Sequence, residues 1–431
     1  MDQRGTGKSS PITKQTLQNR FPDLFIFDDP DEGGSGFLLT KDQTIDQLQI
    51  AYPDQSKSVV TALKESVDFL SCFRADNIVQ DAECVKNALL MVPTIGSESK
   101  PRPWGAALGQ SFGGFCLMTY LSQIENPPKV CIFTGGIAPM LSSCDDIYTS
   151  LWEAVKERNL RYYDKYPGDI ETVKKIVRLL LSDPPALPSG GSLTARRFLQ
   201  LGVSLGGSPA SFASLHSLLT TALVEYGGCD GENQEEFSRA FLKFMDSVQP
   251  FDNHPLYFLL HESIYCDGPK SSPANWSAHR MFEKISSIQP EYDFEFTSQT
   301  NSSDHRPTLF FGEMIFPWMA DGDYAELSGF GMKALAHAIA KKDDWGQLYD
   351  AEKMRLALGD GWKSKATAAI YFDDMYVSFD ACMKVTKRGG PMEKCKVWIT
   401  NEYQHSGLRD DGEQVFDKLL GMAKGSIQTP S

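Results

Sequence analysis

The chain lacks most of what would tie it to a membrane, a nucleic acid or a metal. No run of its 431 residues is apolar for long enough to span a bilayer as a helix, which takes about 20 consecutive, mostly apolar residues. Cationic charge is scarce: 42 Lys and Arg stand against 56 Asp and Glu, a formal net charge of −14. Nucleic acids and anionic lipid surfaces bind cationic faces, so neither is expected as a partner. Histidine is sparse, with seven copies and no H-E-x-x-H pair, and no metal or organic cofactor is expected. The nine cysteines (Cys72, Cys84, Cys116, Cys131, Cys144, Cys229, Cys266, Cys382 and Cys395) are odd in number, scattered and without any C-x-x-C. Such usage suits buried thiols in a reducing compartment rather than a disulfide frame or zinc site; with no leader peptide at Met1, a cytoplasmic location is expected. Gly7-Lys8-Ser9 looks like the end of a phosphate-binding loop. However, Asp2 stands where that motif needs its first glycine, and no strand precedes it. A nucleotide site is excluded.

What is present is an ordinary globular composition, 41% hydrophobic and 23% charged, enough for a sizeable core. Residues 10–60 are polar and rich in Pro and Gly, which reads as a long loop or surface insertion. Ser58–Phe73 and Val79–Met91 carry apolar residues at helical spacing. Trp104–Leu108 is a short apolar run that leads into Gly109-Gln110-Ser111-Phe112-Gly113-Gly114. After it, Phe115–Leu121 reads as a helix and Lys129–Phe133 as a buried strand. Strand, glycine turn, helix and strand make a βαβ unit, which implies a parallel sheet. From about 141 to 335 the pattern is helical, at Ile147–Tyr163, Ile170–Leu181, Ala195–Leu201, Ser211–Tyr226 and Glu235–Val248. Strand character returns at Ala368–Phe372 and Cys395–Thr400, and Val415–Ala423 closes the chain as an amphipathic helix.

Gly109-Gln110-Ser111-Phe112-Gly113 fits G-x-S-x-G, the nucleophile elbow of α/β-hydrolases. The serine of such an elbow sits on a tight strand-to-helix turn, and side chains at the flanking glycines would collide with the neighbouring elements. The backbone N–H of Phe112 then points toward a developing oxyanion. A hydroxyl needs a base, and the base an orienting carboxylate, in the chain order Ser, acid, His. His405 follows the last strand, and Asp373-Asp374 follows the one before it. Of the two acids Asp374 is favoured, since only one can face the imidazole. His337 reads as a helix-packing residue, and the other five histidines fall in the helical block. The expected fold is an α/β-hydrolase with a mostly parallel sheet, its core in residues 1–140 and 336–431. Residues 141–335 form a helical cap inserted over the site.

Several segments go beyond a generic hydrolase. Asp2-Gln3-Arg4-Gly5-Thr6-Gly7, Gly109–Phe115, Thr134-Gly135-Gly136, Leu193–Phe198, His261-Glu262-Ser263-Ile264-Tyr265-Cys266 and Phe311–Trp318 resemble the proline iminopeptidases in order and wording. These serine exopeptidases release an N-terminal proline. The resemblance implies a Ser111–His405–Asp374 peptidase acting on small peptides, whose cap holds the free α-amino group through carboxylates. Glu262 and Glu313, each in an apolar stretch, are the candidates, though either can instead pair with an arginine. Trp276 and Phe316 are candidate aromatic walls. The family also carries an H-G-G-P-G-type loop upstream of D-Q-R-G-T-G that supplies a second oxyanion donor. This sequence starts at D-Q-R-G-T-G, so the loop and the first strands of the sheet are expected to be missing, and neither Gly33-Gly34 nor Gly135-Gly136 stands where it would replace them. Two other readings remain: an esterase or amidase with the same elbow, and a non-catalytic binding relative.

Overall fold

The computed structural model describes residues 2–28, 53–90, 102–227, 233–248, 251–268, 271, 273–289, 292–301, 303–359 and 363–429. The pair Gly33-Gly34, residue Cys229 and much of the 10–60 segment therefore lie outside the described residues. Six strands are present among the described residues: β1 (Ala107–Gln110), β2 (Val130–Thr134), β3 (Leu223–Gly227), β4 (Asn233–Phe237), β5 (Lys365–Tyr371) and β6 (Lys396–Thr400). Four of them form one sheet in the order β1-β2-β5-β6. Every pairing in it is parallel, with Gln110 opposite Thr134, Thr134 opposite Ala369 and Tyr371 opposite Thr400.

Successive side chains of a strand point to opposite faces, and here the two faces belong to two separate cores. Ile132, Ala369 and Tyr371 pack with Val415, Leu419 and Met422 of the closing helix Gly412–Lys424. Cys131, Phe133, Ala368 and Ile370 face the other way, into the main core. Burial on both faces is what makes β2 and β5 read as continuous apolar runs. The helix Phe112–Gln123 supplies the crossover from β1 to β2, as a parallel pair requires. β1 is an edge strand among the described residues, and its Leu108 is exposed.

Between β2 and β5 lies the largely helical block, with long helices at Cys144–Lys165 and Asp169–Ser182. Two expectations need correction. The first concerns Ser211–Tyr226 and Glu235–Val248, which are not uninterrupted helices. A helix stops at Thr220, β3 and β4 form an antiparallel hairpin, and a helix starts again at Arg239. Ser238 caps that start by accepting a bond from the N–H of Phe241 at 3.1 Å, and the hairpin uses residues whose apolar spacing also suits a helix. The second concerns residues 10–28, which are not a loop. Thr13 and Thr16 cap the helix Lys14–Arg20, and Leu17, Leu24 and Phe25 are buried. Of the seven apolar residues in this stretch only Leu17 lies within the helix, too few to register as periodic. The eight described cysteines are free thiols, and no described helix is long and apolar enough to cross a membrane.

Candidate active site

β1 ends at Gln110, and the chain turns at once into a helix. Ser111 makes that turn with φ 53° and ψ −126°, a left-handed conformation that costs a non-glycine residue on the order of 1–3 kcal/mol and is held only where the surroundings enforce it. The enforcing contacts are visible. The N–H of Ser111 donates to the carbonyl of Thr134 at 3.0 Å, extending the β1–β2 ladder by one rung. Its carbonyl lies so close to Gly136 that a Cβ there would stand 2.5 Å away, and a Cβ on Gly109 would meet the Gly113 carbonyl at 2.5 Å. Glycine is required at both places by close approach rather than by flexibility. The N–H of Phe112, first in the helix Phe112–Gln123, has no acceptor among the described residues, as the opening amides of a helix generally do not.

The other two strand ends bring their loops to the same spot. His405 Nε2 lies 2.9 Å from Ser111 Oγ, and His405 Nδ1 lies 2.7 Å from Asp374 Oδ2. Asp374 is 7% exposed. Its other oxygen accepts from the N–H groups of Tyr376 (2.8 Å) and Val377 (3.0 Å), which fixes the carboxylate. Asp373 points elsewhere: its carboxylate pairs with Arg161 at 3.1 Å and its carbonyl accepts from Arg158. Gln110, the variable residue of the elbow, ties the loops together by donating to the His405 carbonyl at 2.9 Å and accepting from the Thr134 hydroxyl. Burial alone would lower the His405 pKa. The Asp374 charge and hydrogen bond, with Glu313 adding to them, outweigh it and leave the imidazole pKa above its ordinary value.

A cavity of about 240 Å³ opens at Ser111. Its walls come from Gln3, Thr6 and Phe73–Ala75; from Phe112 and Phe115 of the helix after β1; from residues of the helical block, including Tyr257, His261 and Tyr265; from Leu348; and from Tyr376-Val377 after β5. The structure brings Glu313 to this cavity, where it accepts a hydrogen bond from the Tyr257 hydroxyl. It does not bring Glu262 there. That side chain is 3% exposed, and its two oxygens accept from the Ser277 and Ala278 amides at 3.0 Å each, at the start of the helix Ser277–Ile288. Burial pushes its pKa up to about 7. Trp276 and Phe316 are buried in the main core, and neither lines the cavity. His337 accepts from the Trp276 ring nitrogen at 3.0 Å inside the helix Phe330–Ala340.

Two contributors went unread in the sequence. Tyr257 sits within the helix Pro255–Leu260, an apolar stretch that gives no sign of a partner 56 residues away. Arg74 falls between two helices, and nothing local marks it as a cavity residue.

No family model matches the chain. Among characterised proteins, it is 34% identical over 423 residues to a proline iminopeptidase of Aeromonas sobria, covering 97% of this chain and 78% of that one. It is also 29% identical over 430 residues to the proline iminopeptidase aneH of Aspergillus aculeatus, covering 99% and 78%. Matches of this extent take in the sheet, the helical block and the cavity walls together, and with the parallel sheet they establish an α/β-hydrolase fold. The chain belongs to the proline iminopeptidase family.

Proposed function

We propose that this protein is a serine aminopeptidase that releases an N-terminal proline from small peptides through an acyl-enzyme. The observation that carries the reading is the unbroken set of contacts from Asp374 through His405 to the strained Ser111 hydroxyl. The substrate class comes from the names of the two relatives. Ser111 Oγ attacks the carbonyl carbon of the N-terminal residue while His405 Nε2 takes the hydroxyl proton. Asp374 holds Nδ1–H and stabilises the imidazolium that forms. The carbonyl oxygen, now negative, is held by the Phe112 N–H at the helix start. Collapse breaks the C–N bond, and His405 passes its proton to the departing amine. Water then repeats the sequence on the ester, with His405 as base, and frees proline and the serine.

Residues 141–335 act as the cap in this reading, supported by Tyr257, His261, Tyr265 and Glu313 sharing one cavity with Ser111. Glu313 receives the protonated secondary amine of proline, because a buried cation without a fixed anion would be costly. Glu262 holds the helix that begins at Ser277. The test is hydrolysis of a proline arylamide by wild type and Ser111→Ala. Expected is a loss on the order of 10⁶-fold in kcat; equal rates would reject Ser111 as nucleophile.

A further inference from the structure

Arg74 is a buried cation in the wall of the catalytic cavity with no anion beside it. Its side chain is 4% exposed and lines the cavity that Ser111 opens into. A guanidinium carries five N–H donors and stays protonated in proteins. Only two of these have acceptors among the described residues: Nη2 donates to the Cys266 carbonyl and Nη1, at a long 3.4 Å, to the Gly346 carbonyl. Nε–H is buried with no partner. One face of the group lies over the Trp345 ring, 4.4 Å from its centroid. No described carboxylate comes within 4.0 Å of it. Asp76 and Asp267 act on it only from further away; one oxygen of each also accepts from amides, Asp267 from Leu348 and Tyr349 and Asp76 from Asn77. A desolvated charge of this kind is expensive unless an anion completes it.

The cavity wall therefore carries charges of both signs. Glu313, bonded to Tyr257 and acting on His405, is the negative one. Arg74, bonded to the Cys266 carbonyl, is the positive one. Ser111 and the largely apolar side chains of Phe112, Phe115 and Ile264 share the same cavity. Its volume of about 240 Å³ is below the roughly 300–1,000 Å³ of sites for drug-sized ligands. A small zwitterion with its amine and carboxylate on either side of a scissile amide fits this arrangement.

We propose that Arg74 binds the free α-carboxylate of the leaving residue, so that the site favours unblocked dipeptides with N-terminal proline. The proposal rests on the aminopeptidase reading and adds the other half of the substrate. It places the carboxylate on the amino acid that departs when the C–N bond breaks, and involves no bond change of its own.

The test compares kcat/KM for prolyl-alanine and prolyl-alaninamide, which differ only in the C-terminal charge. In wild type the acid is expected to exceed the amide by about 10- to 100-fold, the range for a hydrogen bond to a charged group. Arg74→Gln should bring the ratio close to one, and Arg74→Lys should restore part of it, since lysine keeps the charge without the fork. A wild-type ratio near one overturns the proposal, as does a ratio that Arg74→Gln leaves intact; both results would assign Arg74 to bracing the 266 and 346 loops. Calorimetric titration of the Ser111→Ala protein with the same two peptides reads the preference without turnover. If neither peptide nor a proline arylamide is cleaved by wild type, the aminopeptidase reading falls. The titration then still decides Arg74, because equal binding of acid and amide would exclude a carboxylate site.

Discussion

The strand ends that carry Ser111, Asp374 and His405 and the helical wall that faces them hold their side chains by different means. At the strand ends, each residue sits within a few positions of a hydrogen-bonded ladder: Ser111 directly after β1, Asp374 three residues past Tyr371, His405 five past Thr400. Bonds such as Ser111 N–H to Thr134 and Phe372 N–H to Thr400 carry the sheet's register into the loops. In the wall, a side chain is held by partners far along the chain, Glu313 by Tyr257 and Glu262 by the amides of Ser277 and Ala278. The difference separates chemistry from recognition. Groups that move protons are fixed locally by the sheet, while those facing substrate depend on how remote helices pack.

The contrast can be broken first at the two adjacent acids. Asp374→Asn should lower kcat by about 10⁴-fold, as loss of the orienting carboxylate does in serine peptidases. Asp373→Asn loses a half-exposed pair with Arg161, worth roughly 0–1 kcal/mol of stability, and should leave kcat within about twofold. Comparable losses in both variants would dissolve the assignment. A smaller effect, about 10²-fold in kcat/KM, is expected for Glu313→Gln on peptides with a free N-terminus, the range for truncating one partner of a buried charge pair. It should appear mainly in KM, and a neutral ester should lose less than tenfold.

The pH profile sharpens the same comparison. His405 must be neutral to act as base, and its pKa is raised. kcat/KM should therefore climb with pH through a midpoint above the ordinary value of about 6.5. Glu313 contributes to that rise, so Glu313→Gln should move the midpoint down. An unchanged midpoint would mean that the carboxylate does not act on the imidazole. The smallest catalytic effect belongs to Glu262→Gln, where kinetics should stay within about twofold while the melting temperature falls. The sign of its pH dependence follows from the buried carboxyl. With a folded pKa near 7 against about 4.3 unfolded, Glu262 favours the folded state below pH ~4.3. That contribution is lost as pH rises through about 7. The stability gap between wild type and Glu262→Gln should therefore narrow from pH 5 to pH 8, measured by chemical denaturation.

The legibility of the sequence follows the same division. The elbow could be read because glycine at 109 is forced by backbone approach, and such a demand leaves a local pattern; the expected collision at Gly113 is not found, since a Cβ there would meet nothing within 4 Å. β2, β5 and β6 could be read because they are short, apolar and bounded. Choosing between Asp373 and Asp374 needed the loop's direction, which adjacent identical residues do not encode. Glu262 and Glu313 look alike as acids in apolar surroundings. Only the packing shows that one meets a helix N-terminus and the other a cavity. Tyr257 and Arg74 left no trace, since their roles lie wholly in contacts 56 and 192 residues away along the chain. The β3–β4 hairpin was missed because its residues also fit a helical period.

The central claim, that Ser111 is a nucleophile activated by His405, is tested most directly by covalent labelling with a fluorophosphonate, read by mass spectrometry of the intact and digested protein. One adduct, located on Ser111 in wild type and lost in His405→Ala and Ser111→Ala, is the expected result. An adduct elsewhere, or a Ser111 that labels equally fast without the imidazole, would contradict it.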